Sequence, residues 1–363
     1  MSHLYLLLSY LVLTQGRNSD MTSRSNKVVP GHPIVLGCGQ LCLDYLVTVP
    51  SFPVPDQKIR CTSFKVQGGG NTGNTLTCAA RLGLASRILA KVADDSQGRW
   101  MLEELESSGV DTSFCVITKR GNTRTCVFTP GYPPLLPDDL TESLLSDVLD
   151  RVRVIHVTGR SRETELLLAQ KNVSILINAE KRREGLDKLL DLADYAVCST
   201  HFPQDWTGSP SSPSALLSML IRLPKLKFVI MTLGEDGCVM LERCPNEVPE
   251  SEETDIDELH ESLKQSTDFT SVLPVCNSSM VTRLKGNVTG RLYIVTAEKI
   301  PSSELMDTTG AGDAFTGGLL YDMTLEETLT FASRVAACCC RGLGARTTLP
   351  FRTDPNVAAF LGA

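Results

Sequence analysis

The chain has 363 residues, 42% of them hydrophobic and 21% charged, the ordinary composition of a globular enzyme and enough for one large α/β domain or two smaller ones. A formal net charge of −7 offers no attraction to nucleic acid or to an anionic membrane, so neither is expected as a partner. The 13 cysteines are odd in number and irregularly spaced, with Cys338, Cys339 and Cys340 adjacent, which excludes a disulfide framework and predicts free thiols in a reducing compartment.

From the N-terminus, Leu4 to Leu13 is an apolar run too short to span a bilayer, without a basic residue ahead of it or a clean cleavage site behind. Residues 1–32 are therefore expected to be an extension outside the fold of a cytoplasmic protein, with targeting to an organelle such as a plastid as the alternative. From Ile34 short β-branched runs alternate with helical periodicity. Strands are predicted at Ile34–Gly37, Arg87–Val92, Val154–Val157, Ser174–Ile177, Tyr195–Val197 and Lys227–Thr232. Helices are predicted at Gly73–Gly83, Gly98–Ser108, Glu163–Gln170, Gly185–Leu192 and Pro213–Leu223. This order predicts an α/β fold, a mostly parallel sheet covered by helices on both faces. One stretch breaks the rhythm: Glu247 to Glu261 holds eight carboxylates and no Lys or Arg, and polar sequence continues to about Arg291. It is expected to be a disordered acidic insertion over 245–290, because so polar a stretch buries too little apolar surface to offset its ordering entropy.

The strongest chemical signal is Asp307-Thr308-Thr309-Gly310-Ala311-Gly312-Asp313-Ala314-Phe315. Small residues at 309–312 allow a tight turn whose amides, with the helix dipole, form an anion site, and Asp313 beside it can take a proton from an attacking hydroxyl. A plain glycine turn with an Asp at a helix start is the alternative. A second cluster, Gln67-Gly68-Gly69-Gly70-Asn71-Thr72-Gly73-Asn74, offers the donors and acceptors that polyol recognition needs, or simple helix caps. Asp44, after the first strand, is a third polar group able to orient a sugar. Thr232 to Gly237 follows a strand and can approach nucleotide phosphates, or serve only as a hairpin turn.

Together these segments resemble the pfkB, or ribokinase, family of carbohydrate kinases from about Ile34 to Pro350. Within that family His156–Arg160, Glu180–Glu184 and Asp56–Cys61 are similar to segments of the ketohexokinase branch. The resemblance implies a single ribokinase-like domain over 33–350 with a small β lid near 40–65 and 113–130, followed by a tail at 351–363. It implies ATP-dependent phosphorylation of a ketohexose or pentose, with a nucleoside or pseudouridine as the other substrate class and an impaired scaffold or regulator as the non-enzyme alternative. Asp44, Gly70, Asn71, Asn74 and Asp313 would bind the sugar, and Asp313 would be the general base. The amides of Gly310, Ala311 and Gly312 would form the anion hole, while Arg124, Gly234, Glu235, Asp236 and Gly237 would hold ATP. Mg²⁺ would travel with the nucleotide, K⁺ or another monovalent cation would sit near Phe331–Ala345, and the lid would pair two copies into a homodimer. Two departures from the family stand out. Ser199-Thr200-His201-Phe202 replaces an Asn-x-x-Glu motif, and about a dozen residues of strand and turn are missing between Gly121 and Thr123.

Overall fold

A computed structural model describes residues 33–51, 54–118, 134–249, 253–321 and 323–361. The first third runs β1 (Ile34–Cys38), β2 (Cys42–Thr48), β3 (Ser63–Gly69), α1 (Asn71–Arg81), β4 (Ala85–Leu89), β5 (Lys91–Ala93), α2 (Ser96–Ser107), β6 (Val110–Asp111) and β7 (Val116–Thr118). The middle comprises α3 (Glu142–Leu149), β8 (Val152–Val157), α4 (Arg162–Ala169), β9 (Ser174–Ala179), α5 (Leu186–Leu190), β10 (Tyr195–Cys198), α6 (Phe202–Thr207), α7 (Ser212–Arg222) and β11 (Phe228–Thr232). The last part comprises β12 (Cys238–Arg243), α8 (Ile256–Ser266), β13 (Cys276–Ser278), β14 (Thr282–Leu284), β15 (Val288–Val295), α9 (Ala311–Leu319), α10 (Leu325–Cys339) and α11 (Pro355–Leu361).

Among the described residues the main sheet has eleven strands in the order β13-β15-β12-β11-β10-β9-β8-β1-β4-β6, with β14 also on β15. The strands from β6 to β11 are parallel, and β12 to β15 add antiparallel pairs at one end. Sandwiched between helices, the parallel strands are continuous apolar runs, and all five residues of β1 are buried. The chain leaves β1 for β4 on one side and later returns to β8 on the other, so the strand order switches at β1. In open α/β sheets ligands bind at the carboxyl ends of strands beside such a switch. Two small pairs lie off the main sheet: antiparallel β2–β3 and parallel β5–β7. Of these, β2, the start of β3 and β7 fall within the segments 40–65 and 113–130 where a lid was predicted, while residues 119–133, the Gly121–Thr123 junction among them, lie outside the described residues.

The expected disordered insertion is corrected over 253–290, which is ordered helix and strand. Asp255 caps α8 by accepting from the Asp257 and Glu258 amides, and Ile256 and Leu263 are buried against the main core. The acids lie at the helix start, while Ile256, Leu259 and Leu263 recur at helical spacing and face inward. Asp257 accepts hydrogen bonds from Ser211 (2.5 Å) and Ser214 (2.6 Å) at the start of α7, giving one acid a structural partner. The 351–363 tail likewise includes a helix, with Val357 buried and Phe360 packed 5.5 Å from Phe331, ring to ring. The cysteines among the described residues are free, and no helix there is long and apolar enough to cross a membrane.

Candidate active site

The segment before α9 is fastened by Asp307, whose Oδ1 accepts from the Thr309 amide (3.0 Å) and hydroxyl (2.8 Å) and whose Oδ2 accepts from the Gly344 amide (2.7 Å). Gly310 then turns the chain with φ 80° and ψ 0°, the left-handed region, and a Cβ there would fall 2.4 Å from that of Ala345. Asp313 follows inside the first helical turn, where amides lack intrahelical acceptors and carry the positive end of the dipole. Of these amides, that of Ala311 is bonded to the Thr308 carbonyl at 3.2 Å.

This turn separates two cavities. The larger, about 910 Å³, is lined by Gly234–Gly237 from the β11–β12 turn, by Ala311, Gly312 and Phe315 of α9, by Ala336 and Ala337 of α10, and by Lys299. The smaller, about 290 Å³, is lined by Gln40, Asp44, Gly70, Asn71, Asn74, Thr158, Arg160, Thr309, Gly310 and Asp313. The larger combines small and apolar walls with helix-start amides, the surface that suits a planar base with a polyphosphate. The smaller presents the polar side chains of Asp44, Asn71, Asn74, Thr158, Arg160 and Asp313. Among the described residues no three His, Cys, Asp or Glu side chains converge to hold a metal ion.

Asp313 is 8% exposed and accepts a 2.8 Å hydrogen bond from the Asn74 amide nitrogen. Burial pushes its carboxyl up to about 7, opposed by Asn74 and the Arg346 guanidinium and assisted by the nearby Glu180 carboxylate. A buried carboxylate poised near neutrality can accept a proton from a hydroxyl held beside it. Asp44 is also raised by burial, with Arg346 pulling it down. Asn71 donates to Glu180, which pairs with Arg183 (3.3 Å) and Arg160 (3.6 Å). The loop carrying Thr158 and Arg160 is pinned from behind by buried Glu165, which accepts from the Thr158 and Ser161 amides at 3.3 Å.

Asp44, Gly70, Asn71, Asn74 and Asp313 thus share one cavity, while Gly234, Glu235, Asp236 and Gly237 share the other with Ala311 and Gly312. The 234–237 segment is a hairpin turn between antiparallel β11 and β12 and also lines the larger cavity. Arg124 lies outside the described residues. Motif reading missed Arg160, Glu180 and Arg346 as site residues. The first two follow the predicted strands at 154–157 and 174–177, so the carboxyl-end rule would have found them. For Arg346 the sequence carries no comparable signal.

A sequence model described as the pfkB family carbohydrate kinase matches residues 36–131 and 290–352, the stretches that hold both glycine-rich motifs. Ribokinase of Mus musculus is 24% identical over 351 residues, covering 88% of this chain and 93% of that protein. Ketohexokinase of Mus musculus is 20% identical over 335 residues, covering 84% and 95%. The structure of Arabidopsis thaliana ribokinase complexed with ribose and ATP superposes with a TM-score of 0.62 at 18% identity, covering 92% of this chain and 99% of that one. The fold is ribokinase-like, and over the matched residues the chain is similar to the pfkB family of carbohydrate kinases.

Proposed function

We propose that this protein transfers the terminal phosphoryl group of ATP to a hydroxyl of a small sugar, a ketohexose or a pentose. The observation that carries the reading is the α9 turn, which presents Ala311 and Gly312 to the larger cavity and Asp313 to the smaller one. A sugar in the small cavity would meet donors and acceptors from Asp44, Asn71 and Asn74, with Gly70 letting the ring approach the backbone. Asp313 would take the proton of the reacting hydroxyl as the oxygen attacks the phosphorus. The amides at Gly310–Gly312 would steady charge on the transferring group, and the 234–237 turn would lie against the nucleotide. Mg²⁺ bound by the phosphates would neutralise their charge. Much of the acceleration would come from holding hydroxyl and phosphate in contact and in line where the two cavities meet at the α9 turn.

The test is a coupled ATP-consumption screen of the full chain over ketoses, pentoses and nucleosides, with the product followed by phosphorus NMR. Saturable turnover on a ketohexose or pentose, yielding a sugar phosphate, is the expected result. Turnover confined to nucleosides, or ATP hydrolysis indifferent to any added alcohol, would overturn the proposal.

A further inference from the structure

We propose that Arg346 is a positioning residue for phosphoryl transfer, locking the Asn74 amide so that it donates to Asp313; this rests on the reading of Asp313 as the base. Arg346 lies in the loop after α10 and is 3% exposed. Its Nε donates to Asn74 Oδ1 at 2.8 Å, its Nη2 donates to the Gly69 carbonyl at 2.9 Å, and its Nη1 pairs with Glu104 Oε2 at 3.4 Å. Glu104, on α2, accepts from the Gly68 amide at 2.5 Å. A guanidinium has donors only, so the Asn74 atom facing it must be the oxygen. The Asn74 nitrogen is thereby turned toward Asp313 Oδ2, 2.8 Å away. Flipping the amide would set oxygen against carboxylate and NH₂ against guanidinium, unfavourable on both sides. One buried cation therefore determines which way a cavity-lining amide points.

The room for this arginine is made by the N-terminal glycine motif. A Cβ at Gly68 would come within 2.1 Å of Glu104 Oε2 and 2.3 Å of Arg346 Nη1, and one at Gly73 within 2.4 Å of Nη2. The arginine's own backbone is held from two sides. Its carbonyl accepts from Arg81 Nη1 at 2.7 Å, and the Gly344 amide two residues earlier is bonded to Asp307 ahead of α9. Other ionisable groups around Asp313 are Glu180 beyond β9, Asp44 and Arg160 lining the same cavity, and the thiols of Cys78 on α1 and Cys339 on α10, both kept neutral by burial.

The experiment compares Arg346→Met/Glu104→Gln, which removes the buried pair together, with Arg346→Lys and Asp313→Asn. All are assayed on the best sugar from the screen between about pH 6 and 9. The double variant should melt cooperatively, and its acidic limb of kcat should move up by about one pH unit. Turnover near pH 7 should fall about fivefold and recover by about pH 9, while sugar KM rises several-fold and ATP KM stays put. Arg346→Lys should restore the limb but not the sugar KM, because an ammonium supplies charge without the planar fork. An unmoved limb and sugar KM in the double variant would overturn the positioning role while the base reading stands. Full recovery of both by lysine would reduce Arg346 to a charge and overturn the amide lock. Wild-type turnover and limb in Asp313→Asn would remove the base reading and the positioning role with it.

Discussion

The two glycine-rich segments look alike as strings, yet their glycines serve different neighbours. In Gln67–Asn74 the space beside Gly68 and Gly73 is filled by the protein itself, the Arg346–Glu104 pair. In Asp307–Phe315 the space beside Gly312 holds no atom within 4 Å and opens on the larger cavity. Gly310, three residues before Asp313, is needed for its left-handed backbone and its closeness to Ala345. A glycine motif is thus ambiguous until its neighbour is known: one segment makes room for a side chain from the far end of the chain, while the other leaves open space on a cavity.

The largest expected effect is at the residue that the second segment delivers. Asp313→Asn should lower kcat by about two to four orders of magnitude while ATP binding, measured by titration calorimetry, is nearly unchanged. The same residue makes a pH prediction. Its folded pKa of about 7 lies above the ~3.9 of an unfolded aspartate, so folding favours the protonated form. The stability this contributes is complete below about pH 4 and is lost as pH rises through about 7. Turnover runs the other way, rising as the base ionises. Asp313→Asn should therefore match the wild type in melting temperature in acid and exceed it above neutrality. A melting difference independent of pH would show that Asp313 does not titrate in the fold.

The comparison itself is sharpened by a pair of alanines. Gly312→Ala meets no protein atom and lies inside a helix, so stability should hold or rise by about 0.5–1 kcal/mol. The methyl would nevertheless occupy ligand space, and turnover should fall about a hundredfold as the phosphate is displaced. Gly68→Ala drives a Cβ into a buried ion pair and should cost about 1–3 kcal/mol of stability. Thermal melts and steady-state kinetics on both variants decide the matter. If Gly312→Ala destabilises and Gly68→Ala does not, the two segments have been assigned to the wrong neighbours.

Legibility followed the range of the cause. The buried parallel strands from β1 to β11 were readable because burial on both faces leaves apolar runs between turn signals. The antiparallel end was not, because β13 and α8 are polar by composition and are ordered through a few inward residues such as Ile256 and Leu263. In the site, Gly310 and Asp313 were visible because a tight turn into a helix constrains adjacent residue types. Arg346 was invisible because its partner Asn74 is 272 residues away, and nothing local requires an arginine there. The Asp257 contacts with Ser211 and Ser214, some 40 residues apart in sequence, escaped for the same reason.

The smallest effect is expected at a third glycine, where neither protein nor close packing demands the residue. Gly234 opens the turn between β11 and β12 at φ 64°, and a Cβ added there would meet no atom within 4 Å. Only the backbone conformation then argues for glycine. Alanine at that φ should cost about 1–2 kcal/mol, the usual penalty of the left-handed region, and asparagine, which tolerates it, should cost less. ATP KM should shift by no more than about threefold, since the turn is held by the Leu233 amide bonded to the Gly237 carbonyl at 2.7 Å. Melts of Gly234→Ala and Gly234→Asn measure the first claim and nucleotide titration the second. Equal losses for the two would show that φ is not the constraint. A rise in ATP KM as large as that expected for Gly312→Ala would instead put the 234 turn in direct contact with phosphate, joining it to the ligand-facing class that Gly312 defines.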